Sequence, residues 1–275
     1  MTLVIPAKPE TSGLPSSPPP TDVLVRLESV GKCFANGVVA LTDVNLEVRR
    51  GEFLSLLGPS GCGKSTILRL LSALTSATDG GINWLQKNPE LGFVFQEPTL
   101  MPWTDVFNNV RLPLKLAGVP ANKAGDRVHA ALERVGLQNF SRAYPRELSG
   151  GMRMRVSIAR ALVTEPHLLL MDEPFAALDE ITRFKLNNDL LDVWQALRMT
   201  VVFVTHSVFE SVFLASRVVV MAARPGRVFT ELAIDAPYPR DQNFRTSAEY
   251  AGFCRGASEA LGQAMTVGKP AGGRP

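Results

Sequence analysis

Three clusters of residues have the types and spacing to do chemistry. The first is Gly58-Pro59-Ser60-Gly61-Cys62-Gly63-Lys64-Ser65, which fits G-x-x-x-x-G-K-[ST]. Its glycines let successive backbone N–H groups turn inward around phosphate oxygens. A helix that follows such a loop aims its positive end at the same anion. On this reading Lys64 reaches the β- and γ-phosphates of a nucleotide, Ser65 ligates Mg²⁺, and Thr66 falls beside the α-phosphate. The motif by itself serves kinases, GTPases and ATPases alike.

The second cluster closes an apolar run: Leu168-Leu169-Leu170-Met171 leads into Asp172 and Glu173. Parallel strands bring their carboxyl ends to one edge of a sheet, where ligands bind. Asp172 can then face the phosphate loop and hold Mg²⁺ through water, and Glu173 can activate or orient an attacking water. Read in isolation, the two acids are also good turn formers ahead of Pro174. The third cluster is Leu148-Ser149-Gly150-Gly151-Met152, upstream of a helix over about Met152 to Leu162. Gly150 and Gly151 permit close backbone approach to an anion at a helix N-terminus. A plain Gly-Gly turn capped by Ser149 would look the same locally.

The elements that must position these clusters read as an α/β fold. Phe53–Leu57 is a short apolar run feeding Gly58, as expected of a buried parallel strand. Ile67, Leu68, Leu70, Leu71 and Leu74 then recur at helical spacing. Leu91–Phe95, Leu168–Met171, Val201–Thr205 and Val218–Met221 are further buried-strand candidates. Alternating with helices, they predict a P-loop NTPase core with a mostly parallel sheet covered on both faces. Val23, Val25 and Leu27, and Val44, Leu46 and Val48, alternate with period 2 and predict a small antiparallel β layer. Residues 97–165 read as an inserted helical subdomain with breaks at Pro113, Gly118, Pro120 and Pro145. The core domain spans 22–250. Residues 1–21, rich in Pro, Ser and Thr, predict a disordered tail. Residues 251–275 predict a C-terminal helix and a tail that loosens from about Ala264.

With the three clusters in this order, the chain resembles the ABC transporter ATPases, whose signature LSGGQ appears here as Leu148–Met152 with Met152 in place of Gln. The resemblance runs from about Val23 to Ala236. It implies that ATP and Mg²⁺ are bound, and that Ser149, Gly150 and Gly151 grip the γ-phosphate of ATP held by a second copy, in a head-to-tail dimer. Position by position it implies more. Gln96 touches Mg²⁺ or the water, Asp179 in Ala177-Leu178-Asp179 contacts the partner, His206 lies near the γ-phosphate, and Phe34 stacks on adenine. Catalytic work would fall to Glu173, His206, Gln96 and Lys64. Taken singly, a strand-end Gln is an ordinary surface residue, Asp179 a helix cap, His206 a structural histidine and Phe34 a core residue. Asp79–Leu91 is shorter than the family's hairpin region, which leaves the edge of the small β layer open. Phe95-Gln96-Glu97-Pro98, Met101-Pro102-Trp103, Val202–Ser211 and Met221–Gly226 are similar to the nitrate/sulfonate/taurine importer group, whose relatives also serve thiamine-pyrimidine precursors. The implied partners are ABC permease membrane subunits and, indirectly, a periplasmic solute-binding protein, at the cytoplasmic face of the inner membrane.

Composition narrows the alternatives. The chain has 275 residues and a formal net charge of only +3. With no Lys/Arg tract, nucleic-acid binding through a basic stripe is not expected. Three widely separated cysteines, Cys33, Cys62 and Cys254, fit neither a disulfide framework nor a zinc site. No apolar run reaches the roughly 18 residues of a membrane span, and the N-terminus lacks a secretory pattern, so membrane attachment is expected through a partner. A soluble ABC protein acting on ribosomes or DNA would carry a second cassette, a long coiled coil or a zinc hook. A small-molecule P-loop kinase would have no use for Leu148–Gly151.

Overall fold

The computed structural model describes residues 22–87 and 89–267. The Pro-rich segment 1–21 and the last residues, 268–275, lie outside them. Two sheets form the framework. β1 (Val23–Cys33) pairs antiparallel with β2 (Val39–Arg49) on one side and β4 (Asp79–Trp84) on the other. The larger sheet contains β3 (Phe53–Leu57), β5 (Leu91–Val94), β6 (Leu168–Asp172), β7 (Thr200–Thr205), β8 (Arg217–Ala222) and β9 (Arg227–Ala233). Its order is β5-β6-β7-β3-β8-β9, parallel except for the antiparallel β9 at one edge.

The strand pleat sorts the apolar residues onto two faces, since successive side chains point opposite ways. Phe53, Leu57, Leu169, Met171, Val201, Phe203, Val218 and Val220 join the core beneath the helices. Leu54, Leu56, Leu168, Leu170, Val202, Val204, Val219 and Met221 join the core shared with β1, β2 and α1 (Lys64–Leu71). A fully buried side chain of this size stabilises by about 1.5–3 kcal/mol, so a one-residue slip of any central strand would exchange both cores at once. The register aligns the strand ends: Leu57 sits beside Thr205, Asp172 beside Val204 and Val94 beside Met171. The carboxyl ends of β3, β5, β6 and β7 therefore share one edge.

Between β5 and β6 lie α2 (Val106–Leu116), α3 (Ala121–Arg134) and α4 (Gly150–Leu162). The chain then forms α5 (Glu180–Leu197) and α6 (Val208–Leu214), and after β9 a short α7 (Gln242–Arg245) and the long α8 (Ala248–Val267).

Several details depart from the sequence reading. Pro113 does not break α2. It forfeits only the bond to Asn109 O, and Asn109 is itself fully buried, with its amide bonded to Met101 O and Thr104 O. β4 alone closes the edge of the small sheet. β9 escaped the sequence reading because its half-buried Arg227 and Thr230 blur the alternation. α4 starts at Gly150, two residues earlier than expected. Ala264 is fully buried inside α8, which carries Tyr250, Cys254 and Ala257 against the core, so the tail does not loosen there.

Candidate functional site

The phosphate loop spans the gap between β3 and α1. Gly61 and Gly63 hold φ of 77° and 90°, a left-handed conformation that costs a side-chain-bearing residue about 1–2 kcal/mol. Gly63 also abuts β2, where a Cβ would stand 2.3 Å from Leu41 Cδ2. Lys64 is buried and its ammonium donates to Gly58 O at 2.7 Å and Pro59 O at 3.1 Å, curling the loop around it. Ser60 is exposed on the loop, Cys62 is buried beneath it, and Thr66 lies in the first turn of α1.

The acidic strand end meets this loop. Ser65 Oγ donates to Asp172 Oδ1 at 2.8 Å. Burial pushes the Asp172 carboxyl above the usual carboxylate range, against the opposing pull of the Ser65 bond. Glu173 adopts φ 46°, a sparsely populated region for a non-glycine residue, with its N–H fixed to Val204 O at 3.0 Å. That backbone turns its carboxylate back over the sheet edge. There it lies 3.0 Å from His206 Nδ1 and 3.9 Å from Lys64 Nζ. Three chain segments far apart in sequence thus converge on one edge.

The remaining positions sit apart from this group. Gln96 is exposed, two residues past the end of β5, because that strand stops at Val94 rather than Phe95. Phe34 lies in the tight turn between β1 and β2, partly exposed, with the Lys32 ammonium 5.3 Å from its ring centre. It is therefore not a core residue. Ser149 caps α4, accepting from Met152 N at 3.3 Å, and Asp179 caps α5, accepting from Thr182 N at 2.9 Å. That bond holds the Asp179 carboxyl below its ordinary range. The two caps are neighbours: a Cβ on Gly151 would stand 2.7 Å from Thr182 Cγ2, and one on Gly150 3.5 Å from Leu178. Among the described residues, no hydrogen bond or ion pair joins the Ser149–Gly151 turn to the phosphate loop of the same chain.

The family model described as ABC transporter matches residues 41–176, which hold the phosphate loop, the Ser149 turn and the acidic strand end. An uncharacterised ABC transporter ATP-binding protein of Methanocaldococcus jannaschii is 48% identical over 236 residues, covering 83% of this chain and 87% of its own. The chain belongs to the family of ABC transporter ATP-binding proteins. The cassette is 44% identical to the nitrate import ATP-binding protein NrtD of Synechocystis sp. over 80% of its length and 85% of the relative's. It is also 44% identical to the aliphatic sulfonates import ATP-binding protein SsuB of Bacillus licheniformis, over 77% and 85%. Among solved structures, CbiO1 of Clostridium perfringens, part of the ABC transporter complex CbiONQ, superposes with a TM-score of 0.71 at 28% identity, covering 78% of this chain and 89% of that one. A dimeric bacterial ABC transporter cassette gives 0.68 at 31% identity, covering 78% and 100%. The cassette is an ATP-binding ATPase. Among the described residues, no helix is long and apolar enough to cross a membrane.

Two supports of the cassette's site went unread in the sequence. Gly226, in the turn from β8 to β9, backs the phosphate loop: a Cβ there would stand 2.3 Å from Cys62 O and 2.7 Å from Ala40 O. The stretch Met221–Gly226 stood out only as a likeness, because an isolated turn glycine carries no sign of what it abuts. Since both neighbours are backbone, Gly226→Ala is expected to cost about 1–3 kcal/mol of stability by overpacking and to weaken ATP binding without touching the nucleotide. Denaturant unfolding and nucleotide titration of the variant check this. Wild-type values in both would show that the three segments yield freely.

Glu210 is the second support. It is buried behind His206 and accepts from Thr205 Oγ1 at 2.5 Å, with Arg183 Nε 3.7 Å away. Burial raises its carboxyl above the ordinary range, more than the Thr205 bond and Arg183 lower it. The folded state therefore binds the proton more tightly than the unfolded chain. This residue's contribution to stability is full below the ordinary carboxylate value and lost as pH rises through the raised one. Glu210→Gln removes that loss, so the variant's melting temperature relative to the wild type is expected to be higher at pH 8 than at pH 5. Calorimetry at the two pH values measures it. A difference independent of pH would contradict it.

Proposed function

We propose that this cassette is the ATP-hydrolysing subunit of an ABC importer for a small solute of the nitrate, sulfonate or taurine kind. The observation that carries the solute class is the likeness, at 44% identity and over most of both chains, to the nitrate and aliphatic sulfonate import proteins. The ATPase does not touch cargo, so its residues carry no direct record of it.

ATP is bound with its phosphates in the loop Gly58–Ser65 and beside Thr66, and with adenine against Phe34. Ser65 and Asp172, joined by Gln96, would hold Mg²⁺. The pair fits a hard cation, since both offer oxygen and a buried carboxylate favours a neutralising charge. Among the described residues, no three His, Cys, Asp or Glu side chains cluster to hold a metal alone, in keeping with an ion that also needs phosphate oxygens. When bound, Mg²⁺ neutralises charge on the β- and γ-phosphates. Lys64 steadies the same oxygens, Glu173 accepts the proton of the attacking water, and His206 orients Glu173 and faces the γ-phosphate. The work is positioning and charge stabilisation.

Two copies close head to tail, each Ser149–Gly151 turn reaching the γ-phosphate held by the other, with Asp179 at the seam. Support comes from a turn with no tie to its own loop, and from the dimeric cassette that superposes on this chain. The helical lobe within 97–165 passes the closure to permease subunits. The cassette would then sit peripherally at the cytoplasmic face of the inner membrane and meet a periplasmic solute-binding protein only indirectly. Reconstitution with its permease and binding protein in vesicles tests this. ATP-driven uptake of nitrate, an alkanesulfonate or taurine is expected, whereas ATP hydrolysis without uptake of any of the three would overturn the solute class.

A further inference from the structure

Behind the catalytic edge, the short helix α6 carries the chain away from His206. It has only seven residues, too few to hold together by itself, so its place depends on the burial of Val212, Phe213 and Leu214 in the core and on what grips its two ends. The N-terminal grip is local. Ser207 Oγ accepts from Glu210 N at 3.3 Å, Ser207 N donates to Thr205 Oγ1 at 3.0 Å, and that hydroxyl donates to Glu210. The residues on either side of His206 are thus both tied to α6.

The C-terminal grip comes from a segment that none of the chemical motifs include. Arg240 is 4% exposed. Its Nη1 donates to Val212 O at 2.9 Å, Phe213 O at 3.0 Å and Ala215 O at 2.9 Å, and its Nη2 to Ile234 O at 3.2 Å and Ala236 O at 3.1 Å. Tyr238 Oη donates to the intervening Leu214 O at 2.9 Å, and its ring lies 4.1 Å from the guanidinium carbon. Each carbonyl from Val212 to Ala215 thus has a donor from one stretch, Tyr238–Arg240. Helix ends leave such carbonyls without partners and bear partial negative charge. Among the described residues this buried guanidinium bonds only to carbonyls and to no carboxylate, a costly arrangement, and a simple staple for the tail would not need the four hydrogen bonds that Tyr238 and Arg240 place on one helix end.

We propose that Arg240 is a positioning residue for ATP hydrolysis: by holding the carboxyl end of α6 it fixes His206 opposite Glu173. This rests on the reading of His206 as the residue that faces the γ-phosphate. The phosphate loop hangs on β3 and α1, so Arg240 acts on turnover and leaves nucleotide capture alone.

The test is steady-state ATP hydrolysis by the full chain with Arg240→Gln, with His206→Ala, and with both. For Arg240→Gln, KM is expected to stay within about threefold while kcat falls about tenfold to a hundredfold, the scale of a small misplacement of a catalytic group. The double variant is expected to be no slower than His206→Ala. Wild-type kcat in Arg240→Gln, or a loss that multiplies that of His206→Ala, overturns the proposal. Normal turnover by His206→Ala would instead sink the reading of His206, and the proposal with it. Should Arg240→Gln not fold, Tyr238→Phe removes one hydrogen bond at the same helix end. It is expected to lower kcat about threefold in the wild-type background and not at all in His206→Ala. An equal loss in both backgrounds overturns the proposal.

Discussion

Glu173→Gln is expected to lower steady-state ATP hydrolysis by about 10²–10⁴-fold, the range of a general base, while ATP binding persists. Gln keeps the length, the shape and one carbonyl oxygen, so the contacts toward Lys64 and His206 can be made in the same space. The left-handed backbone at this position is fixed by the N–H bond to Val204 O, which the substitution does not touch. What vanishes is an oxygen able to accept a proton. Phosphate release set beside equilibrium nucleotide binding separates the two effects. Normal hydrolysis would remove Glu173 from the role of base, and joint loss of binding would make it part of the cradle.

Lys64→Ala is expected to act on the other quantity. Truncating one member of a buried, hydrogen-bonded charge pair costs about 2–5 kcal/mol, or roughly 30-fold to several-thousand-fold in ATP affinity. The ammonium is buried and bonded to Gly58 O and Pro59 O, so its removal also frees the two carbonyls that shape the loop. Nucleotide titration by calorimetry measures the loss. Affinity within threefold of the wild type would show that the backbone N–H groups carry binding by themselves.

Much of the edge was legible because its chemistry is written in contiguous runs. A phosphate loop needs its glycines and lysine adjacent, and the strand ending at Asp172 announces itself by four apolar residues in a row, Leu168–Met171. The continuous apolar runs of the central strands foretold a sheet with two covered faces, and the period-2 alternation of β1 and β2 foretold the small antiparallel layer. Residues whose work depends on distant partners were harder to read. Gly226 abuts Cys62 and Ala40, far upstream, and Arg240 binds carbonyls of a helix that ends at Leu214. No local pattern marks either. Pro113 was misread for the opposite reason, since a local rule was applied where burial of Asn109, Val110 and Leu114 overrides it. Phe34, Gln96 and Asp179 drew their roles from resemblance, and in the single chain two of them are surface residues and one is a helix cap.

The proposed motor turns on a triphosphate held between two copies. The structure of the Glu173→Gln variant loaded with ATP measures this directly. The expected result is a pair in which Ser149 Oγ of each copy lies within hydrogen-bonding reach, about 3 Å, of the γ-phosphate seated on Lys64 of the other. A loaded chain whose Ser149–Gly151 turn stands remote from every nucleotide, its own and its neighbour's, would contradict the account.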